Sequence, residues 1–279
     1  MVLAVGCHGG GGGGAADAQV EVGSGSRAGT GTGTGEGEGG SAVSPVGGEW
    51  LEKMEVGGGV VYVAPPLGAV GKRPVVIAIH GAVDHPGLEC SAWRVIVDLY
   101  AFVVCPGGTP VGADGPNRKY VWGSSEQIER RAMEALVAVE AKYPEHVVAG
   151  APVVYAAFSQ GATLAAPFLV RQGKRFPRAV LTEGGHSSFA PGAQAQAYAK
   201  AGGERVLFSC SQGGCARAFE QSRASLVRAN VEARVVFAGA VGHSMVPAVR
   251  ESLNDTLAWV VDGLPGWEGY AAAPKLPSH

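Results

Sequence analysis

The order of apolar segments predicts an α/β fold: a mostly parallel, doubly wound sheet of about eight strands with helices on both faces. Two observations carry this. Short valine-rich runs recur at 60–63, 75–79, 102–104, 153–158, 179–181, 206–208 and 235–237, and they are continuous rather than alternating. Continuous runs of that length are what strands buried on both faces look like. Between several of them the apolar residues fall at helical spacing instead, and such alternation builds a parallel sheet covered on both sides.

Taken in order, the segments near 52–56 and 60–63 lie close enough to pair antiparallel and open the sheet. Ser124-Ser125-Glu126-Gln127 is a capping box, and Ile128, Ala132, Leu136 and Val139 follow it on one helical face. Pro167 falls inside the helix expected after residue 159 and should kink it. Near the end Val246, Val249, Leu253, Leu257 and Val260 form a stripe, closed by Gly263 and Pro265. Only about twenty residues, Glu183 to Gly203, join the sixth and seventh strands, too few for an inserted domain, so no cap over the strand ends and an open cleft are expected.

The totals suit one sizeable globular domain: 279 residues, 46% hydrophobic, 16% charged, net charge −2. No basic stripe points to nucleic acid, and no apolar run approaches the roughly 18 residues of a membrane-spanning helix. Residues 8–48 are rich in Gly, Ser, Thr and Ala, with the first aromatic at Trp50. Such a segment buries too little apolar surface to offset chain entropy and is expected to be a disordered linker spanning about 35 Å. The expected organisation is therefore 1–48 as a leader with linker, 49–265 as the folded domain and 266–279 as a tail.

One sharp corner carries the chemistry. Ala157-Phe158-Ser159-Gln160-Gly161 follows the fifth strand, with a small residue two positions either side of a serine. A serine on a strained strand-to-helix turn needs such neighbours to avoid colliding with adjacent backbone, and the turn aims the amide of Gln160 at the space above it. Chemistry in open parallel sheets gathers beyond the strand C-termini, which is where Ser159 falls. Upstream, 75–79 ends in His80-Gly81-Ala82, a tight turn that can offer a second amide from Ala82. Downstream, 235–237 leads through Gly242 to His243, a base within reach of Ser159 in such a topology.

Here the chain resembles the α/β-hydrolase family over roughly residues 50 to 263. Phe158-Ser159-Gln160-Gly161 with Gly242-His243 is most similar to its carboxylesterase, thioesterase and dienelactone-hydrolase branches. The resemblance implies serine chemistry with nucleophile, acid and histidine in that chain order, no cofactor and no metal. It also sorts two near-repeats, because Ser211 in Leu207-Phe208-Ser209-Cys210-Ser211-Gln212-Gly213 follows the seventh strand and lies where the family keeps its acid. No Asp or Glu occurs there. Glu183, just after the sixth strand, is the expected acid; Glu220 lies on a helix further on, and turnover should depend on Glu183 but not on Gln212. His80, Gly81, Phe158 and His186 are expected to line the site. Asp84, His85 and Cys90 match no standard metal spacing.

The expected function is cleavage of small carboxylic esters or thioesters. The alternatives are a non-catalytic envelope protein of the same fold that binds a ligand or partner, and a serine peptidase using the same residues. Met1 to Cys7, MVLAVGC, resembles the end of a bacterial lipoprotein signal, which implies a lipid on Cys7 and a tether to the cell envelope; a cytoplasmic protein is the other reading. Cys90, Cys105, Cys210 and Cys215 remain, with Cys210 and Cys215 the preferred pair and four free thiols the alternative.

Overall fold

The computed structural model describes residues 43–115 and 117–272, so Cys7, most of the glycine-rich segment and the last seven residues lie outside the described residues. The chain runs β1 (Glu52–Val56), β2 (Gly59–Ala64), β3 (Val75–Ile79), α1 (Pro86–Ile96), β4 (Phe102–Pro106), β5 (Thr109–Val111), β6 (Lys119–Val121), α2 (Ser125–Lys142) and β7 (Val154–Phe158). It continues with α3 (Gln160–Thr163), α4 (Ala165–Gln172), β8 (Arg178–Thr182), α5 (Gly192–Lys200), β9 (Arg205–Cys210), α6 (Cys215–Arg228), β10 (Glu232–Phe237) and α7 (Pro247–Val261).

Eight strands form one sheet in the order β1-β2-β4-β3-β7-β8-β9-β10. β2 runs antiparallel to both β1 and β4, and every other neighbouring pair is parallel. The expected architecture is the observed one. Alternate residues of each central strand feed two cores. Ile77 and Ile79 face α2, α4, α5 and α6, meeting Leu136, Phe168, Tyr198 and Phe219. Val76 and Ala78 face α1 and α7, meeting Trp93, Leu253 and Leu257. Because both faces are covered, β3, β4, β7 and β8 are buried along their whole length, which is why their sequences do not alternate.

Local chemistry sets the helix limits. The Ser124 hydroxyl accepts from Gln127 N–H to open α2, as the capping box requires. The helix after the corner is broken rather than bent: α3 ends at Thr163 and α4 begins at Ala165. Pro167 has no N–H for the Thr163 carbonyl four residues back and its ring crowds that oxygen; Ser188 Oγ donates to the freed carbonyl at 3.4 Å.

The structure differs from expectation in three places. The β5–β6 hairpin was not foreseen, since three-residue strands carry too little pattern to register. Packing extends past both expected boundaries: Val46 is buried and donates its N–H to Ala69, while Trp267 and Tyr270 are buried against Tyr100. Two disulfides form, the preferred Cys210–Cys215 and also Cys90–Cys105, which ties α1 to β4. Between β8 and β9 only α5 intervenes, and no cap is present among the described residues.

Candidate active site

Ser159 occupies the corner between β7 and α3 with φ 51° and ψ −109°, a region non-glycine residues avoid. Its neighbours hold it there. The Ser159 N–H donates to the Thr182 carbonyl at 2.8 Å, and its own carbonyl accepts from Thr163 N–H at 2.9 Å and Thr163 Oγ1 at 3.0 Å. Gly161 must be glycine because a Cβ there would lie 2.7 Å from the Ile79 carbonyl and 3.0 Å from that of His80. A Cβ on Gly184 would collide with the Ser159 backbone itself. The glycines at 161 and 184 thus have their cause in close approach to backbone.

His243 arrives on the loop after β10, suspended from the end of β9. Ala238 N–H donates to the Cys210 carbonyl at 2.9 Å, and Val241 and Gly242 N–H to the Ser211 carbonyl at 3.1 and 3.3 Å. This anchoring brings His243 Nε2 to 2.8 Å from Ser159 Oγ. The Phe158 ring lies against the imidazole, with centroids 4.9 Å apart. His243 is on the surface, with 45% of its side chain exposed, and Ser159 is half-buried, so the pair faces an open cleft.

Glu183 follows β8 with φ 55°, and its side chain is wholly buried. Its carboxylate accepts from Ser211 N–H, from Ser211 Oγ at 2.6 Å and from Gln212 Nε2 at 2.8 Å. Oε2 lies 3.6 Å from His243 Nδ1, close enough for charge attraction but long for a hydrogen bond. Ser211 is fully buried; its hydroxyl donates to Glu183 and also contacts the Gly242 carbonyl. Gln212, expected to be a bystander, touches both partners: its Nε2 is also 3.1 Å from His243 Nδ1. The near-repeat after β9 therefore supplies the polar cradle of an acid that comes from the neighbouring strand.

The backbone N–H groups of Ala82 and Gln160 have no acceptor among the described residues. Val83, next to Ala82, has φ 53°, a costly conformation for a β-branched residue that turns this loop sharply. Gln160 is fixed by a double hydrogen bond at 2.9 Å each way: its Oε1 accepts from Trp122 N–H and its Nε2 donates to the Trp122 carbonyl. This clamp, 38 residues away in sequence, was invisible before the structure.

His80 is entirely buried beneath the turn. Its Nδ1–H donates to the Gly81 carbonyl at 2.7 Å and its Nε2 accepts from Gly108 N–H at 3.1 Å, which fixes one neutral tautomer. Burial pushes its pKa down to about 4, so it shapes the turn as a neutral group. Gly81 is buried against Phe158 and Ser159 Cβ. His186, expected to line the site, instead packs its ring at a tilt against Phe219, with centroids 4.7 Å apart, and borders a cavity of about 320 Å³ with Thr163, Ala166 and Gly185. The Gly184-Gly185 turn, with Gly185 at φ 74°, carries the chain past Ser159 before His186 is reached. Asp84 and His85 serve the start of α1, where His85 Nδ1 caps Gly87 N–H at 3.0 Å, and the sulfur of Cys90 is taken up by its disulfide.

An imidazole nitrogen 2.8 Å from a strained serine hydroxyl and a buried carboxylate on its far side are parts that acyl transfer needs. No family model matches the sequence, and a search of curated proteins found no match. Solved structures do match. An S-formylglutathione hydrolase from Agrobacterium tumefaciens superposes with a TM-score of 0.55 at 17% identity, over 77% of this chain and 94% of that one. The fluorophosphonate-binding serine hydrolase FphF of Staphylococcus aureus gives 0.54 at 15% identity, over 76% and 97%. TT1662 of Thermus thermophilus gives 0.55 at 14% identity, over 76% and 98%. The chain has an α/β-hydrolase fold. The solved structures that share it include esterases and serine hydrolases.

Proposed function

We propose that this protein is a serine hydrolase that cleaves carboxylic esters or thioesters through an acyl-enzyme. The observation that carries the reading is the 2.8 Å approach of His243 Nε2 to Ser159 Oγ on a strained corner. Ser159 Oγ attacks the acyl carbon while its proton passes to Nε2. The amides of Gln160 and Ala82 receive the oxyanion, worth about 10²–10³ in rate per donor. His243 then returns the proton to the departing alcohol or thiol, and water repeats the cycle to release the acid. Glu183 holds the imidazolium that forms in between. The exposed His243 and the lack of a cap among the described residues favour small or exposed acyl groups over deeply buried lipids. The esterase, S-formylglutathione hydrolase and serine hydrolase named among the similar structures accord with this reading.

We place the protein in an oxidising compartment of the cell envelope, tethered through Cys7. Support comes from the MVLAVGC motif and from the two disulfides. A panel of p-nitrophenyl esters and thioesters tests the activity: turnover by the wild type that vanishes in Ser159→Ala is expected. A Ser159→Ala variant as active as the wild type would remove Ser159 from the mechanism.

A further inference from the structure

Gln212 sets which nitrogen of His243 carries the proton, an inference that rests on the reading of Ser159 and His243 as nucleophile and base. Its amide nitrogen lies 2.8 Å from Glu183 Oε2 and 3.1 Å from His243 Nδ1. That nitrogen has two hydrogens and no lone pair to offer. One hydrogen goes to the carboxylate. The other then points at Nδ1, which must be bare to accept it. Turning the amide over would set its oxygen against a carboxylate oxygen, two acceptors face to face, so the orientation is fixed by Glu183.

A neutral imidazole has one N–H. With Nδ1 bare the proton sits on Nε2, where it donates to Ser159 Oγ at 2.8 Å. This is the reverse of what a general base needs, since Nε2 must offer its lone pair to the serine proton. The direct partner for a proton on Nδ1, Glu183 Oε2, is 3.6 Å away. We infer that Gln212 is a positioning residue that holds His243 in a resting tautomer, and that turnover requires its amide to leave Nδ1. One proton then leaves Nε2 to water and one reaches Nδ1, with no net change of charge, and Glu183 closes on the new N–H.

The loop is built for that movement. Cys210–Cys215 closes a six-residue ring whose base is fixed by Ser211 on Glu183, while Gln212, Gly213 and Gly214 are exposed. A Cβ on Gly213 or Gly214 would meet nothing, so the outer half of the ring has open space around it. The acid stays anchored by Ser211, while the outer half of the ring leaves the amide room to move once its two bonds break.

The test is Gln212→Met, which keeps the length and removes the donors, with Gln212→Asn as a second variant whose shorter amide falls short of Nδ1. Two measurements are made on the full chain with ¹⁵N-labelled histidine: ring nitrogen shifts of His243 near neutral pH, and the rate at which a fluorophosphonate probe labels Ser159. The wild type should have its proton on Nε2, and both variants should have it on Nδ1. Labelling should rise about fivefold, the factor that one neutral hydrogen bond carries. A wild-type proton already on Nδ1, variants with an unchanged tautomer, or variants that label no faster would each overturn the inference. Failure of the hydrolase reading looks different: the wild type would not label at all, while the nitrogen shifts would still report the tautomer.

Discussion

Replacing Glu183 with glutamine is the sharpest probe of the proposed triad, because it removes one charge and almost no volume. The carboxylate receives only donors: Ser211 N–H, Ser211 Oγ and Gln212 Nε2. A glutamine presents its own NH₂ to one of these, so a donor meets a donor and the acid's cradle is disturbed as well. During turnover His243 becomes a cation 3.6 Å from Oε2. Because His243 is partly exposed, the pair is screened more than a buried one; an effective dielectric of 20–40 gives roughly 2–5 kcal/mol of attraction. Losing it slows the chemical step by about two to three orders of magnitude. The assay is steady-state hydrolysis of a p-nitrophenyl ester, with circular dichroism to establish that the variant is folded. A large fall in kcat with KM little changed is expected. A folded Glu183→Gln variant within threefold of the wild type would refute the assignment of Glu183 and with it the argument from charge.

Other predictions concern the frame around the site. His80 is held neutral with its pKa near 4 and Glu89, wholly buried beside Asp84 and accepting from Trp93 Nε1 at 2.9 Å, is pushed by burial up to about 8. The two act with opposite sign. The unfolded chain protonates His80 first, so its contribution of roughly 3 kcal/mol is present above pH 6.5 and lost as pH falls toward 4. Glu89 is protonated in the fold, so stability is lost as pH rises from 4.5 through 8, by about 3–5 kcal/mol. Wild-type denaturant unfolding should therefore weaken between pH 6.5 and 8, and Glu89→Gln should abolish that loss and uncover the His80 slope below pH 6.5; an unchanged profile would contradict both. Gly184→Ala should cut ester turnover more than 100-fold by driving a methyl group into the Ser159 backbone, an elbow that must move as a unit; wild-type kinetics would mean the contact is yielding. Cys90→Ala with Cys105→Ala opens a loop of 15 residues and should cost about 3 kcal/mol in chemical unfolding; a change below 0.5 kcal/mol would contradict it.

Much of this was legible because the relevant signals are local. Seven apolar runs without alternation announce buried strands, and small residues flanking Ser159 announce a corner too tight for side chains. Their order along the chain places His243 beyond the strand ends on the same edge as Ser159. What was hidden depends on contacts between distant segments. The role of Trp122 exists only through its two bonds to Gln160, and nothing at 119–122 marks a strand partner or a clamp. Ser211-Gln212 read as a failed copy of the corner, when its physical task is to solvate an acid from the next strand. His186 read as site-lining because it follows Glu183 by three residues, yet the left-handed Gly185 redirects the chain between them. Trp267 and Tyr270 looked like tail, being separated from the last stripe by Gly263, Pro265 and Gly266, and it is packing on the Tyr100 ring and the bond from the Tyr270 hydroxyl to the Ile96 carbonyl that give them a place.

The central claim is that the turn at residue 159 makes one particular hydroxyl nucleophilic. Peptide mapping by mass spectrometry after reaction of the folded protein with a fluorophosphonate tests it most directly. The account predicts a single stoichiometric adduct on Ser159, none on Ser209 or Ser211, and no labelling after unfolding. An unmodified Ser159, or an adduct on Ser211 instead, would contradict it.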